Sequence, residues 1–291
     1  MKYLKKGDFP LKGKYVALLA PSFVVDFPYP LIIYQLKKLG FEKIVELTFG
    51  AKIVNKKYYE IIKNYNFKNK NNFFISSVCP GIIETIKNKF PQYKENLLKV
   101  DSPMIATAKI CKKFYPNYKL VFISPCNFKK IEAEKSKIIH GIIDYKELNS
   151  ILKEKFSKEE IKKFRNLKKQ IFFDKFYNDF TKIYPVSGGL SKSLKINKIL
   201  NKKEIKTING VKKFTKFLNK KNKNIKFVDV TFCKGGCING LCVNSKDSLL
   251  LRKNRVLRYV RKSHKERIPE DRKGLFEKAK GISFESNYPI N

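Results

Sequence analysis

FVDVTFCKGGCING, residues 227–240, is the stretch that decides the fold predicted for this chain. It opens as an apolar run typical of a buried strand and ends at Cys233 and Cys237, with Gly235 and Gly236 between them. Thiolates four positions apart can bind one metal centre, and glycines let backbone N–H groups approach the sulfurs of a cluster. The stretch therefore indicates an iron–sulfur site. Cysteines that merely pack in a core are the alternative at this point, because free cysteine also behaves as a small hydrophobe.

Size and cysteine usage limit the class of protein. A chain of 291 residues can form one large domain or two lobes, and either can bury a core without disulfide bonds. The few cysteines are scattered, which is typical of reduced cytoplasmic thiols or metal ligands and not of a secreted scaffold. They are Cys79, Cys111, Cys126, Cys233, Cys237 and Cys242. We therefore predict a cytoplasmic protein.

The most apolar region, residues 15–34, is not expected to cross a membrane. It contains Asp26 and the prolines Pro21, Pro28 and Pro30, and it lacks the basic end and small-residue cleavage site of a signal peptide.

The charge balance is strongly basic, with 64 Lys and Arg against 25 Asp and Glu and a net charge of +39. The lysines are spread along the chain with many Asn, Ile and Phe residues, a composition typical of an A+T-rich genome, and no base-reading motif accompanies them. If the charge instead serves binding, the chain would be a basic nucleic-acid binder with inert cysteines, which is one alternative. In either case the positive electrostatic field of the protein would steer an acidic protein partner toward its surface.

Short apolar runs alternate with amphipathic segments, which favours an α/β fold of two lobes with mainly parallel sheets flanked by helices. The predicted strands are residues 14–20, 43–47, 72–77, 118–123, 138–143 and the run from Phe227. The predicted helices are residues 29–39, 56–63, 82–90, 104–114, 145–154, 158–169, 189–200, 210–218 and a basic helical tail from Leu249. We place the first lobe at residues 1–115, the second at 116–245 and the tail at 246–291.

Four predicted strands end in polar or cysteine-bearing segments: residues 20–22, 77–80, 124–126 and 232–233. In open α/β sheets, ligands bind in the crevice beyond the carboxyl ends of the strands. We therefore expect Cys79, Cys126, Cys233 and Cys237 to meet in the cleft between the lobes.

Three of these segments, taken together, resemble the signature segments of iron-only (FeFe) hydrogenases. They are Ser77-Val78-Cys79-Pro80, residues 125–132 (PCNFKKIE) and residues 233–237 (CKGGC), and they occur in the family's order. The resemblance runs from about residue 14 to residue 240. It identifies the chain as a minimal form of the C-terminal, H-cluster domain of the hydrogenase large subunit, without the ferredoxin-like domains.

The resemblance implies a cofactor and a set of site residues. Cys79, Cys126, Cys233 and Cys237 would bind a 4Fe-4S cluster, and Cys237 would bridge to a two-iron subsite with carbonyl, cyanide and dithiolate ligands. Lys129 and Ser22 would donate hydrogen bonds to cyanide, and Glu132 would orient the motif. Ala20 and Pro21 would line the subsite, while Gly235 and Gly236 would shape the cluster loop.

Departures from the family pattern imply slow proton transfer. The residue before the first cluster ligand is Val78, where productive hydrogenases have a proton-relaying cysteine, and valine cannot ionise. The other departures are Ser124 for Met, Asp229, Thr231 and Phe232 for Glu, Met and Ala, and basic Lys56 and Lys57 where relay carboxylates are expected. These replacements resemble the sensory branch of the family.

The resulting hypothesis is a hydrogenase-like oxidoreductase that reversibly oxidises hydrogen to protons and electrons, with slow turnover or a sensing role. Its expected partners are an acidic ferredoxin-like electron carrier and the hydrogenase maturation proteins. The alternative is a non-catalytic iron–sulfur protein, similar to assembly factors, that holds only a 4Fe-4S cluster.

Overall fold

The computed structural model describes residues 1–67, 73–166, 171–220 and 224–286, and the structural statements below refer to these residues. Their strands are β1 (Lys2–Tyr3), β2 (Tyr15–Leu19), β3 (Lys43–Glu46), β4 (Phe74–Ile75), β5 (Lys119–Ser124), β6 (Gly141–Asp144), β7 (Ile205–Asn209) and β8 (Phe227–Thr231). A five-stranded sheet has the order β1-β6-β5-β2-β3, and a three-stranded sheet has the order β4-β8-β7. Every strand pair in both sheets is parallel.

The helices lie on the connections that parallel pairing requires. They are α1 (Leu31–Lys38), α2 (Thr48–Asn64), α3 (Pro80–Lys89), α4 (Pro103–Phe114), α5 (Phe128–Ser136), α6 (Tyr145–Lys155), α7 (Lys158–Asn166), α8 (Gly189–Leu194), α9 (Val211–Leu218) and α10 (Leu249–Ser263). Short 3₁₀ helices at Pro21–Val25, Phe180–Ile183 and Cys237–Asn239 lie close to the site described below.

The larger sheet is buried on both faces because alternate residues of its central strands are apolar. Val16 and Leu18 of β2 pack in one core cluster with α2 and α4, and Ala17 and Leu19 pack in another with α1 and α6. The smaller sheet differs: Val228 and Val230 of β8 pack against α3 and α9. On the opposite face of β8, Phe227 packs in the core cluster of the larger sheet, and Asp229 and Thr231 are the polar side chains.

The predicted α/β architecture with parallel sheets and flanking helices is confirmed. The two-residue strand β1 and the strand β7 were not predicted, and α2 begins at Thr48, eight positions before the predicted residue 56. The α-helix predicted over residues 189–200 ends at Leu194 and continues as a 3₁₀ turn over Ile196–Lys198. Residue 72 of the predicted third strand and residues 167–169 of the predicted helix at 158–169 lie outside the described residues.

The lobe boundary placed at residues 115/116 does not separate the sheets. The larger sheet takes β2 and β3 from before it and β5 and β6 from after it, and the smaller sheet likewise joins β4 to β7 and β8. Parallel strands need long crossover connections, so a chain with two parallel sheets can return to each of them. The tail is helical through α10 and then continues in 3₁₀ turns over Glu270–Arg272 and Phe276–Ala279.

Within the described ranges, no helix is both long enough and apolar enough to span a membrane.

A buried ion pair joins the larger sheet to the C-terminal helix. Lys182 Nζ lies 2.6 Å from Glu46 Oε2 at the end of β3, and their side chains are 0% and 1% exposed. Tyr259 of α10 donates a hydrogen bond from its hydroxyl to Glu46 Oε1 over 2.8 Å. Because a buried charge must be paired, α10 is fixed to this end of the sheet.

Replacing Lys182 by methionine should lower the free energy of unfolding by about 3–5 kcal/mol, because the Glu46 carboxylate loses its cation while buried. Urea denaturation measures the change. The matched control is Lys273→Met, which removes the exposed pair with Glu270 and should cost at most about 1 kcal/mol. Equal losses in the two variants would contradict the assigned role of the buried pair.

Candidate metal centre

A single cavity lies where the carboxyl ends of both sheets meet. Ala20, Pro21 and Ser22 follow β2, Cys126 follows β5, and Cys233 follows β8 on its walls. The remaining lining side chains are mostly apolar and include Leu47, Ala51, Met104, Pro103, Phe122, Phe128, Val186, Leu190 and Phe232. The expected convergence of strand ends is thus what the structure shows.

All four predicted cysteine ligands, Cys79, Cys126, Cys233 and Cys237, line this cavity. Cys79 is the residue immediately before α3. Cys126 is held in its turn by Ser124, whose Oγ donates to the Cys126 carbonyl over 2.8 Å and accepts from its N–H over 3.1 Å. Local hydrogen bonds therefore orient this cysteine without any metal.

The loop that carries Cys233 and Cys237 depends on its glycines. Gly235 and Gly236 have φ values of 91° and 87°, which L side chains rarely adopt. A Cβ on Gly236 would lie 2.5 Å from the Pro185 carbonyl oxygen, because residues 185–187 pass directly against the loop. The glycines thus let the loop turn and pack closely, so that both thiols face the cavity.

The thiols influence one another. Burial, followed by the neighbouring Cys79 and Cys126, raises the pKa of Cys233 to about 12. Cys237 is exposed to the cavity but surrounded by protein, and burial followed by the same neighbours raises its thiol pKa. A cationic metal centre would reverse this effect, because metal binding stabilises the thiolate.

The thiols of this cavity are donors of the kind that iron–sulfur clusters use. Among the described residues, no three His, Cys, Asp or Glu side chains lie close enough to share one metal ion. A single zinc ion needs every sulfur about 2.3 Å from one point, whereas the thiolates of a cubane bind different irons and stand further apart. Soft thiolates around an apolar cavity are the ligands that iron–sulfur clusters use.

Lys129, in the first turn of α5, lines the cavity, and two hydrogen-bond acceptors fix its ammonium group. Its Nζ lies 2.5 Å from Glu132 Oε2 and donates to the Val78 carbonyl over 3.3 Å. Glu132, expected to orient the motif, is 4% exposed and lies off the cavity lining, where its carboxylate accepts a hydrogen bond from Lys129. Gly235 also lies off the lining.

Ser22 lines the cavity and is fully buried. Its Oγ lies 2.8 Å from the hydroxyl of Tyr145, whose single proton can be donated either to Ser22 or to the Ala20 carbonyl, 3.3 Å away. When Tyr145 donates to Ser22, the serine proton is free to point into the cavity.

Sequence reasoning missed two polar residues of the wall as site residues, Asp229 and Tyr184. Asp229 had a visible signal, because it interrupts the apolar run of a buried strand between Val228 and Val230. Tyr184 had none, since its position depends on how residues 184–187 pack against the cysteine loop.

The chain belongs to the family described as the C-terminal domain of the iron only hydrogenase large subunit, whose model matches residues 13–241. The resemblance identified from the cysteine segments is therefore confirmed.

Individual relatives agree with this assignment. The chain is 24% identical over 261 residues to iron hydrogenase 1 of Clostridium pasteurianum, a match that covers 72% of this chain and 44% of that protein. A variant of the [FeFe]-hydrogenase HydA1 from Chlamydomonas reinhardtii has a similar structure, with a TM-score of 0.65, 14% identity, and coverage of 91% of this chain and 86% of that one. An apo variant of the same hydrogenase matches with a TM-score of 0.63 and 15% identity, covering 94% and 87%.

Cys126→Ala should lose the iron centre when the protein is reconstituted anaerobically with iron and sulfide, whereas the parent chain should hold about four irons. The control is Cys111→Ala, because Cys111 is fully buried in the core next to α2. Iron assay and visible absorption measure the result. Equal iron in the two variants would contradict the assigned ligands.

Proposed function

We propose that the chain is a minimal hydrogenase-like oxidoreductase that holds a 4Fe-4S cluster joined to a two-iron subsite. It would interconvert hydrogen with protons and electrons slowly, or sense hydrogen at the same site. One observation carries the proposal: cysteines from three distant segments surround a cavity whose walls also present Lys129 and residues 20–22. A site that only bound a cubane would not need the cation and the serine on the remaining wall.

In this proposal Cys79, Cys126, Cys233 and Cys237 would hold the cluster, and Cys237 would also serve the two-iron subsite. The bound subsite supplies the redox chemistry of hydrogen. The chain supplies the apolar walls that exclude water and strengthen the electrostatic interactions inside.

Lys129 is suited to bind a small anionic ligand such as cyanide. An ammonium group has three donors, and Glu132 and the Val78 carbonyl accept from it. A donor remains for the cavity, and a charge-assisted hydrogen bond is roughly twice as strong as a neutral one. Ser22, held by Tyr145, provides a neutral donor on the wall formed by residues 20–22.

Slow turnover follows from the side chain at position 78. Val78 lines the cavity beside the carbonyl that Lys129 contacts, and it cannot carry a proton. Lys56 and Lys57 of α2 are exposed and pair with Glu60. The chain therefore lacks a carboxylate at these positions to deliver protons.

Electrons would come from a partner. Cys111 lies in the core and the Cys242 thiol donates to Asn127 Oδ1 over 2.9 Å, so neither is part of the cavity wall. With a net charge of +39, the surface would attract an acidic ferredoxin-like carrier. Hydrogenase maturation proteins would insert the subsite. The chain spans less than half of the curated relative that it matches, at 44%, so these partnerships are our proposals.

A non-catalytic iron–sulfur protein is the second candidate, and the same Val78 observation favours it. Iron content separates the two functions, at about four irons per chain for a cubane alone and about six with the subsite.

Val78→Cys in the fully loaded protein should raise hydrogen turnover by about tenfold or more, because it adds an ionisable thiol beside the cavity. Gas-phase assays of hydrogen evolution measure the rate, and infrared bands of bound carbonyl and cyanide show equal loading. The control is Val186→Cys, which also places a thiol on the cavity wall, at a residue whose backbone pairs with Gly236. A fully loaded Val78→Cys protein no faster than its parent would refute the explanation of slow turnover.

A further inference from the structure

Asp229 is the carboxylate of the cavity. Of the described residues that line this space, it alone is an Asp or Glu. It is 2% exposed, and it lies on the face of β8 opposite Val228 and Val230, which pack in the core of the smaller sheet. A buried carboxylate is costly to keep without a cation beside it, so its place on this wall calls for a function.

The hydrogen bonds of Asp229 lead away from the cavity to α8. Its Oδ2 accepts from the Ser191 N–H over 3.0 Å. The Ser191 hydroxyl is buried without a hydrogen-bond partner among the described residues, yet it lies near enough to this carboxylate to favour its ionised form. Burial outweighs these effects and raises the pKa of Asp229. A carboxyl group that ionises closer to neutral pH can exchange protons more readily.

Beside Asp229 on the cavity side stands Tyr184, whose hydroxyl is also buried and unpaired among the described residues. Burial, followed by Tyr58 and Asp229, raises the pKa of the Tyr184 hydroxyl, and Tyr184 and Asp229 both line the cavity. Buried hydroxyls pair with protein groups or with ordered water. Tyr184 and Asp229 can therefore hold water at the wall of the cavity.

Further polar side chains lie near α8 at the surface of the protein. Two residues beyond Ser191, Ser193 accepts a hydrogen bond at its Oγ from Asn55 Nδ2 over 3.0 Å. Asn55 Oδ1 is buried and has no partner among the described residues. Asn55 and Ser193 line an open surface groove together with Lys52, Lys56 and Lys195. Helix α8 thus carries polar groups at the cavity wall and at the groove, with no hydrogen bond between Ser191 and Ser193 among the described residues.

We propose that Asp229 exchanges protons between the cavity and solvent, with Ser191, Ser193 and Asn55 as positioning residues along α8. This inference rests on the proposed function, since it names the proton carrier of that same site. For hydrogen evolution, the carboxylate takes a proton from the solvent side as an O–H bond and releases it on the cavity side; for hydrogen oxidation the transfer runs in reverse. Electrons travel separately through the cluster.

Other groups on the wall serve this purpose less well. Val78 has no ionisable group, and Lys129 is held in its ion pair with Glu132. The Ser22 hydroxyl is bonded to Tyr145, a phenol whose pKa burial raises well above its ordinary value.

The test compares Asp229→Asn with its parent in the fully loaded protein. Carbonyl and cyanide bands should be unchanged, while turnover should fall about 100-fold, the scale of lost general acid–base transfer. Asp229→Glu should retain turnover, because it keeps the carboxyl group. The matched control is Asp101→Asn, a carboxyl that is 3% exposed and off the cavity lining, and it should keep the parental rate.

Two further readouts separate proton transfer from a structural role. Adding Val78→Cys to Asp229→Asn should restore turnover, because the thiol supplies a second carrier, whereas a structural defect would not be rescued. In the metal-free protein at a pH low enough to protonate Asp229, the infrared band of its carboxyl group should shift in deuterium oxide, and Asn55→Leu should slow that shift.

The outcomes are distinguishable. If the loaded parent shows no carbonyl or cyanide bands, the proposed function fails and this inference fails with it. Should the bands be present while Asp229→Asn turns over at the parental rate, the inference alone is overturned. A slow Asp229→Asn protein that Val78→Cys does not rescue assigns Asp229 a structural role instead.

Discussion

The mutual proximity of the cysteine thiols is the constraint on which the rest of the structure depends. Burial and the neighbouring cysteines raise the pKa of Cys233 and Cys237, so the apolar cavity favours the neutral thiol at these two positions. Bound iron would lower the free energy of the site, because coordination stabilises the thiolates. A fold that positions such a group must do so without help from the group itself, and here hydrogen bonds and glycine turns do it.

Two parallel sheets provide that positioning. Their strand ends deliver segments from distant parts of the chain to one crevice, as expected for open α/β folds. The C-terminal helix α10 then ties the walls together. Arg252 donates to the Ile238 carbonyl next to Cys237, and Arg255 donates to the Val25 carbonyl at the end of the segment that begins at Pro21. The buried pair of Lys182 and Glu46, with Tyr259, anchors the same helix.

Local patterns in the sequence were enough to predict β2, β5, β8 and the four cysteines, because apolar runs that stop at glycine, proline or cysteine are short-range signals. Contacts between distant segments were not predictable in this way. Helix α2 contains Gly50, where a Cβ would lie 2.5 Å from the Pro103 carbonyl oxygen of α4, so a residue that disfavours helix in the sequence is required here by packing. β7 is a half-exposed edge strand with little apolar signal, and the role of Glu132 behind Lys129 depends on tertiary packing.

The infrared spectrum of the reconstituted protein tests the central claim most directly. The protein would first receive its 4Fe-4S cluster and then a synthetic two-iron cofactor, under anaerobic conditions. Our account predicts sharp bands of metal-bound carbonyl and cyanide that persist after removal of free cofactor and shift under hydrogen. A normal cubane signal with no retained bands would contradict it and leave a non-catalytic iron–sulfur protein.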